Sequence, residues 1–147
     1  MRIYIGADHA GYTLKEGLKD HIESLGYEVT DLGAFSEDTV DYPDIAREVA
    51  EKVYENGGML GVLICGTGTG MCMAANKHTG IRAASCTDEQ MAMYARSHNH
   101  ANILCLGQRV LNSEDLAKQI TKKFLETEFE GGRHEKRVDK IMEVEKD

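Results

Sequence analysis

Cys65 stands at the end of an apolar run, Val62-Leu63-Ile64, and is followed by glycines at alternate positions, Gly66, Gly68 and Gly70, with Thr67 and Thr69 between them. The run has the character of a buried strand, and the segment from Met71 to Lys77 contains good helix formers and no breaker. The pattern therefore predicts strand, glycine loop, helix, with a thiol at the mouth of the loop. Glycines let backbone N–H groups approach a ligand closely, and the positive end of the following helix faces the same way, so the loop is suited to hold negative charge. The same N–H groups would stabilise a thiolate and lower the thiol pKa from its free value of about 8.5. Such a sulfur can serve as a nucleophile or a general base. A buried cysteine can also be an inert small hydrophobe, and the loop is what separates the two readings.

Other chemistry-bearing residues lie outside this loop. His9 and His98 each flank a strand, and unperturbed imidazole pKa values near 6.5 suit proton transfer at neutral pH. Arg133 and Arg137 are four residues apart, on one side of a helix, and two guanidiniums side by side suit a phosphate. Glu135 and Asp139 could instead neutralise that face as a solvated ion-pair surface. The glycine loop lacks the Gly-Lys-Ser/Thr of a nucleotide triphosphate loop, and Met71 stands where a dinucleotide fingerprint needs glycine.

The elements that must position these residues follow in order. Arg2–Gly6 is a strand, with Ala7 to Gly11 as its exit loop. Leu14, Leu18, Ile22 and Leu25 form one face of a helix closed by Gly26. Glu28–Leu32 is a second strand and 33–41 a polar loop. Asp41-Tyr42-Pro43 starts a helix with Ile45, Val49 and Val53 on one face. After the central strand and loop, Gly80–Ser85 is a fourth strand. Thr87 or Asp88 caps a helix running to about Ser97, and Asn102–Leu106 is a fifth strand. Ser113 caps a helix with Leu116, Ile120 and Phe124 on one face. Gly131-Gly132 breaks it, and a charged last helix runs from about Arg133 to Glu145, lying over the rim of the domain, against a second subunit, or in solvent.

Strands alternating with helices predict one α/β domain over residues 1–147, a three-layer Rossmann-like fold with a five-stranded parallel sheet and an extra C-terminal helix. In such sheets a ligand binds at the carboxyl ends of the strands, where the strand order reverses. If strand 1 lies between strands 2 and 3, Asp8-His9 faces Cys65–Gly70 across that crevice. The chain of 147 residues is 41% hydrophobic and carries a net charge of -8, which opposes a general nucleic-acid surface. No apolar run is long enough to span a bilayer, and no secretory signal precedes the first strand, so a cytoplasmic protein is expected. The cysteines Cys65, Cys72, Cys86 and Cys105 show no framework spacing and are expected to be reduced thiols.

Asp8-His9-Ala10-Gly11, Asp41-Tyr42-Pro43, Cys65-Gly66-Thr67-Gly68-Thr69-Gly70, Ala74-Ala75-Asn76-Lys77, Gly80-Ile81-Arg82-Ala83, His98-Asn99, Gly107-Gln108-Arg109 and Glu130-Gly131-Gly132-Arg133-His134 occur in that order over nearly the whole chain. Together they resemble the ribose-5-phosphate isomerase type B family, in a superfamily that includes allose-6-phosphate and galactose-6-phosphate isomerases. The resemblance implies aldose–ketose isomerisation of ribose 5-phosphate to ribulose 5-phosphate through an enediolate, in the pentose phosphate pathway, without metal or cofactor. It implies that Cys65 is the general base, that His98 opens the sugar ring, and that Gly66, Thr67, Gly68, Thr69 and Gly70 hold the enediolate oxygens. It implies that His9, Arg109, Arg133 and Arg137 hold phosphate and polar groups, and Asp8 and Asn99 sugar hydroxyls. It further implies a homodimer or homotetramer whose active site is shared, His98 and its neighbours coming from a second subunit. Thr69, Cys72 and His100 depart from the family's commoner residues, and Thr69 and His100 bear on sugar preference. The alternatives are a hexose-phosphate isomerase, such as one for allose 6-phosphate, and a non-catalytic phosphosugar-binding module.

Overall fold

The structure is a computed structural model that describes residues 1–146. Five parallel strands, β1 (Arg2–Ala7), β2 (Glu28–Asp31), β3 (Leu60–Cys65), β4 (Ala83–Ser85) and β5 (Ile103–Gly107), form one sheet in the order β2-β1-β3-β5-β4. Strand β1 thus lies between β2 and β3, as the crevice argument requires, and the chain reverses direction across the sheet between β1 and β3.

Alternation along the central strands divides the core in two. Ile3, Ile5, Leu60, Val62, Ile64, Leu104 and Leu106 pack against α1 (Tyr12–Ser24), α4 (Glu89–Ser97) and α6 (Glu114–Glu126). Tyr4, Leu63, Cys65, Ile103 and Cys105 face α2 (Tyr42–Glu55) and α3 (Thr69–Ala75). All six residues of β3 are buried, which is why the sequence there reads as a continuous apolar run. No helix among the described residues is long and apolar enough to cross a membrane.

Local signals act as the residue types predict. Of the two candidate caps of α4, Asp88 is the one whose carboxylate accepts from the Met91 N–H. The Ser113 hydroxyl accepts from the Leu116 N–H at the start of α6. Gly26 takes a left-handed φ of 100° after α1. The fourth strand is shorter than expected. Residues 80–82 leave the ladder because side-chain amides satisfy their backbone: Asn102 accepts from the Arg82 N–H and donates to Gly80 O, and Asn76 accepts from the Ala83 N–H. The helix after the glycine loop starts two residues earlier than expected, at Thr69. A short helix α5 (Gln108–Leu111) follows β5 where only a loop was foreseen.

The last helix, α7 (Arg133–Glu143), continues into a 3-10 turn, Val144–Lys146. It buries only His134 and Val138 and leaves Ile141 half exposed. It adds no layer to the sheet and lies by the carboxyl-terminal end of α4 and the start of β4, where His134 meets His98 and Met142 meets Arg82.

Candidate active site

The carboxyl ends of β1, β3 and β5 bring one group of residues together. Cys65 ends β3 and is 5% exposed. The Gly68 N–H donates to its Sγ at 3.1 Å, and the Thr69 N–H donates to Thr67 Oγ1 at 3.3 Å. Gly68 holds φ at 84°, in the left-handed region that glycine adopts without strain, where the loop turns into the following helix. Thr67 and Thr69 point into solvent at the rim of the loop.

The Asp8 N–H donates to Ile64 O, one residue before the thiol. The buried Asp8 carboxylate accepts from the Ala10 and Gly11 N–H groups, and so fixes the turn that carries His9. Gly11 presses so closely on β3 that a Cβ there would meet Ile64 O at 2.6 Å. His9 Nδ1 accepts from the Val40 N–H at 3.3 Å, which leaves Nε2 as the donor of the neutral ring. Beyond β5, the Arg109 N–H donates to Gly66 O at 2.9 Å, and its guanidinium lies 3.0 Å from where a Gly66 Cβ would sit. Asp8, His9, Cys65, Gly66, Thr67, Gly68, Thr69, Gly70 and Arg109 therefore share one crevice.

His98, Asn99, Arg133 and Arg137 are not in it. Helix α4 runs back from the carboxyl end of the sheet, so its C-cap, His98, sits at the opposite end. Asn102 nearby accepts through its carbonyl from the Gly61 N–H at the start of β3. The length of β3, about 17 Å for its residues, separates this group from Cys65 within one chain. Here the His98 ring is held between Tyr94 at 4.7 Å and His134, stacked at 4.1 Å, with the Glu130 carboxylate 3.4 Å from its Nε2. His134 is held below the ordinary imidazole value by burial and by His98 and Arg133 beside it. Arg133 and Arg137 line a basic cleft with Lys136 and Lys140.

The residue types of the motifs left three neighbours without a role. Tyr42 lies over the loop, its ring 2.8 Å from a Cβ placed on Gly70, and Glu130 and His134 frame His98. The motif Asp41-Tyr42-Pro43 signalled a helix start, and its aromatic ring was the available clue. Among the described residues, His98, Glu130 and His134 form the grouping that could hold a metal ion, with ligand atoms within 4.8 Å of one another. The two imidazoles are stacked nearly parallel and arginines flank them, an arrangement that opposes a cation. No cysteine belongs to that grouping, and all four cysteines are unpaired.

The thiols differ. Cys72 is pushed down to about 7, chiefly by its hydrogen bond with Cys105 and against its burial. Cys86 is pushed up to about 12 by burial, with Cys72 and Asp88 adding to it.

Residues 3–141 match the model of the ribose/galactose isomerase family. The chain belongs to that family. A probable ribose-5-phosphate isomerase B of Mycoplasma genitalium is 47% identical, the match covering 100% of this chain and 97% of the relative. Among solved structures of the family, ribose-5-phosphate isomerase B of Clostridium thermocellum superposes with a TM-score of 0.96 at 51% identity, covering 99% and 98% of the two chains. The Mycoplasma genitalium ribose-5-phosphate isomerase B with bound ribulose 5-phosphate gives 0.94 at 45% identity, covering 99% of this chain and 97% of that one. The family's three-layer α/β sheet is the one built here.

Proposed function

We propose that this chain is an aldose–ketose isomerase that interconverts ribose 5-phosphate and ribulose 5-phosphate. The observation that carries the reading is the Cys65 sulfur, bonded by the Gly68 N–H and set in a glycine loop where the strand order reverses. Ribulose 5-phosphate bound to the 45% identical Mycoplasma genitalium protein supports a phosphorylated pentose over a hexose.

The open-chain aldose presents C2–H beside its C1 carbonyl. The Cys65 thiolate takes the C2 proton, and the electron pair forms the C1–C2 double bond of an enediolate. Negative charge grows on the oxygens, and preorganised N–H donors from Gly66 to Gly70 meet it; such stabilisation is usually the largest catalytic contribution. Thr67 Oγ1 sits at the rim to bond the same oxygens. The thiol then returns the proton to C1 while the hydroxyl proton of O2 passes to O1, so that the C2 carbonyl of the ketose forms with no atom gained or lost. A positioned general base adds about 10²–10⁴-fold. Arg109 and His9 bind the polar end of the substrate, and Asp8 a hydroxyl.

His98, which opens the furanose ring by protonating the ring oxygen, and Asn99, Arg133 and Arg137 act from a second copy of the chain. Their place at the far end of the sheet supports this, because one chain cannot bring them to its own Cys65. The functional unit is thus a homodimer, or a homotetramer built from such dimers, acting on cytoplasmic sugar phosphates.

The test is incubation of EDTA-treated protein with ribose 5-phosphate, following ribulose 5-phosphate, with Cys65→Ala alongside. Turnover lost only in the variant is expected. Equal turnover in both removes Cys65 as the base, and binding without turnover in the wild type points to a sensor.

A further inference from the structure

A cavity of about 440 Å³ opens at the amino-terminal end of the sheet, away from Cys65, with an apolar floor of Val53, Met59 and Leu60. Arg82, Arg96, His100 and Asn102 line one side, and Tyr54, Gly57 and Gly58 the other. Arg82 Nε donates to His100 O at 2.7 Å, and Arg96 donates from Nε to Thr127 O and from Nη1 to Ala101 O. Those bonds fix both guanidiniums in place and leave each Nη2 without a hydrogen-bond partner among the described residues.

Charge is not balanced there. No carboxylate among the described residues lies within 4.0 Å of either guanidinium. Glu145 acts on Arg82 only from a distance, and its carboxylate accepts from the Gly80 N–H at 3.0 Å. Glu128 acts on Arg96 in the same weak way. Burial disfavours the charge on each arginine, and Arg82 adds repulsion to Arg96. His100 is held below the ordinary imidazole value by burial and by both arginines. Two half-buried cations without a counter-charge are costly unless an anion joins them.

His100 is also placed at a cost. Its backbone is left-handed, with φ at 53°, where a residue with a Cβ is strained. The ring stacks on Phe129 at 4.2 Å with planes 1° apart, and neither ring nitrogen makes a hydrogen bond within the described residues. Across the cavity, a Cβ on Gly57 or Gly58 would meet nothing within 4 Å, so that wall is open to a ligand.

We infer that the cavity between Arg82, Arg96 and His100 is a binding site for a phosphate group, free or carried on a small metabolite. Two guanidiniums match the charge of a dianion, their paired N–H groups suit its oxygens, and the imidazole supplies a third donor. The volume lies in the range of small-molecule sites and leaves room for an organic substituent. The occupant would tie together the loop that carries His98 and Asn99, because Arg82 and Arg96 hold the backbone at His100 and Ala101.

The test is a titration of the ¹⁵N-labelled full chain with inorganic phosphate, then with glycerol phosphate, at constant ionic strength, read by NMR. The amides of Gly57 and Gly58 and the His100 ring are expected to shift saturably, with a midpoint separate from that of Gly66 to Gly70. A tighter midpoint for glycerol phosphate identifies a phosphomonoester site, and a tighter one for inorganic phosphate identifies free phosphate. His100→Gly, which suits the left-handed backbone, and Arg96→Gln should each weaken the first midpoint about tenfold, the loss of one charge-assisted bond, and leave the second in place. Unmoved Gly57, Gly58 and His100 signals while Gly66 to Gly70 respond would overturn the inference and leave the isomerase reading intact. Midpoints unchanged in both variants would overturn it as well.

Discussion

The Cys65 sulfur has two features that separate a base from a buried hydrophobe: an N–H donor at 3.1 Å and a loop of further donors beside it. Cys65→Ala should therefore remove isomerisation while the circular dichroism and melting curve stay those of the wild type. Turnover within tenfold of wild type in the folded variant contradicts the role. Arg109 lies against Gly66, so Arg109→Ala should raise KM for ribose 5-phosphate by tenfold or more and lower kcat little. A kcat loss with unchanged KM would move Arg109 from binding to the chemical step. Cys72, pushed down to about 7 and half-buried, is the more reactive of the remaining thiols. In Cys65→Ala protein at neutral pH, iodoacetamide should label Cys72 before Cys86, which burial pushes up to about 12. Peptide mapping showing Cys86 first would contradict this. The residue types around Cys65 were legible from sequence because glycine spacing and a terminal thiol are local features. The contact between Tyr42 and Gly70 was not, because it joins two segments through the packing of α2 on α3.

Between the site and the core lies an element-scale device that the sequence did not announce. Lys15 of α1 is completely buried, yet it bonds the Asp31 carboxylate at 2.7 Å and Ala34 O at 2.6 Å. Lys19, one turn on, bonds the same carboxylate at 2.8 Å. The bridge pins α1 to the end of β2 and to the loop that returns beside Ala7, since the Ala34 N–H donates to Ala7 O. Burial pushes the Asp31 carboxyl up, but the bonds from Lys15 and Lys19 and the Gly33 N–H outweigh it and hold it below the ordinary carboxylate value. A carboxylate depressed on folding contributes stability above its unfolded pKa of about 3.9 and loses it as pH falls through the lower folded value. Asp31→Asn leaves the buried Lys15 ammonium with only Glu16, at 3.5 Å, as a counter-charge, at a cost of about 3 kcal/mol and a fall in Tm on the order of 10 °C. The gap between variant and wild type should close as the pH drops below about 4; a gap that persists in acid would argue against an ionic origin. Helix periodicity made α1 legible by its Leu14, Leu18 and Ile22, but a lysine within that face looks like any solvent-facing residue until its partner is known. The truncation of β4 escaped for a related reason, since the amides of Asn76 and Asn102 compete with the ladder from positions distant in sequence.

At the scale of the molecule, the sequence motifs give a list of residues, and the fold sorts them into two groups at opposite ends of one sheet. Strand order could not be read from hydrophobic pattern, because parallel buried strands all look alike. Once β1 lies between β2 and β3, Asp8, His9, Cys65 and Arg109 fall together and His98, Asn99, Arg133 and Arg137 fall elsewhere. In the proposed shared site a second copy of the chain joins the groups, and Ile141 of α7 with Val144 of the turn after it are exposed apolar side chains that such a contact would cover. The central claim is an enediolate isomerase whose base and ring-opening acid come from different copies. The most direct test co-expresses Cys65→Ala and His98→Asn chains, each inactive toward cyclic ribose 5-phosphate alone. In a mixed dimer one site receives both defects and the other receives neither. Random pairing is therefore predicted to restore about a quarter of the wild-type activity. Mixed dimers that form and show no recovered turnover would contradict the shared site.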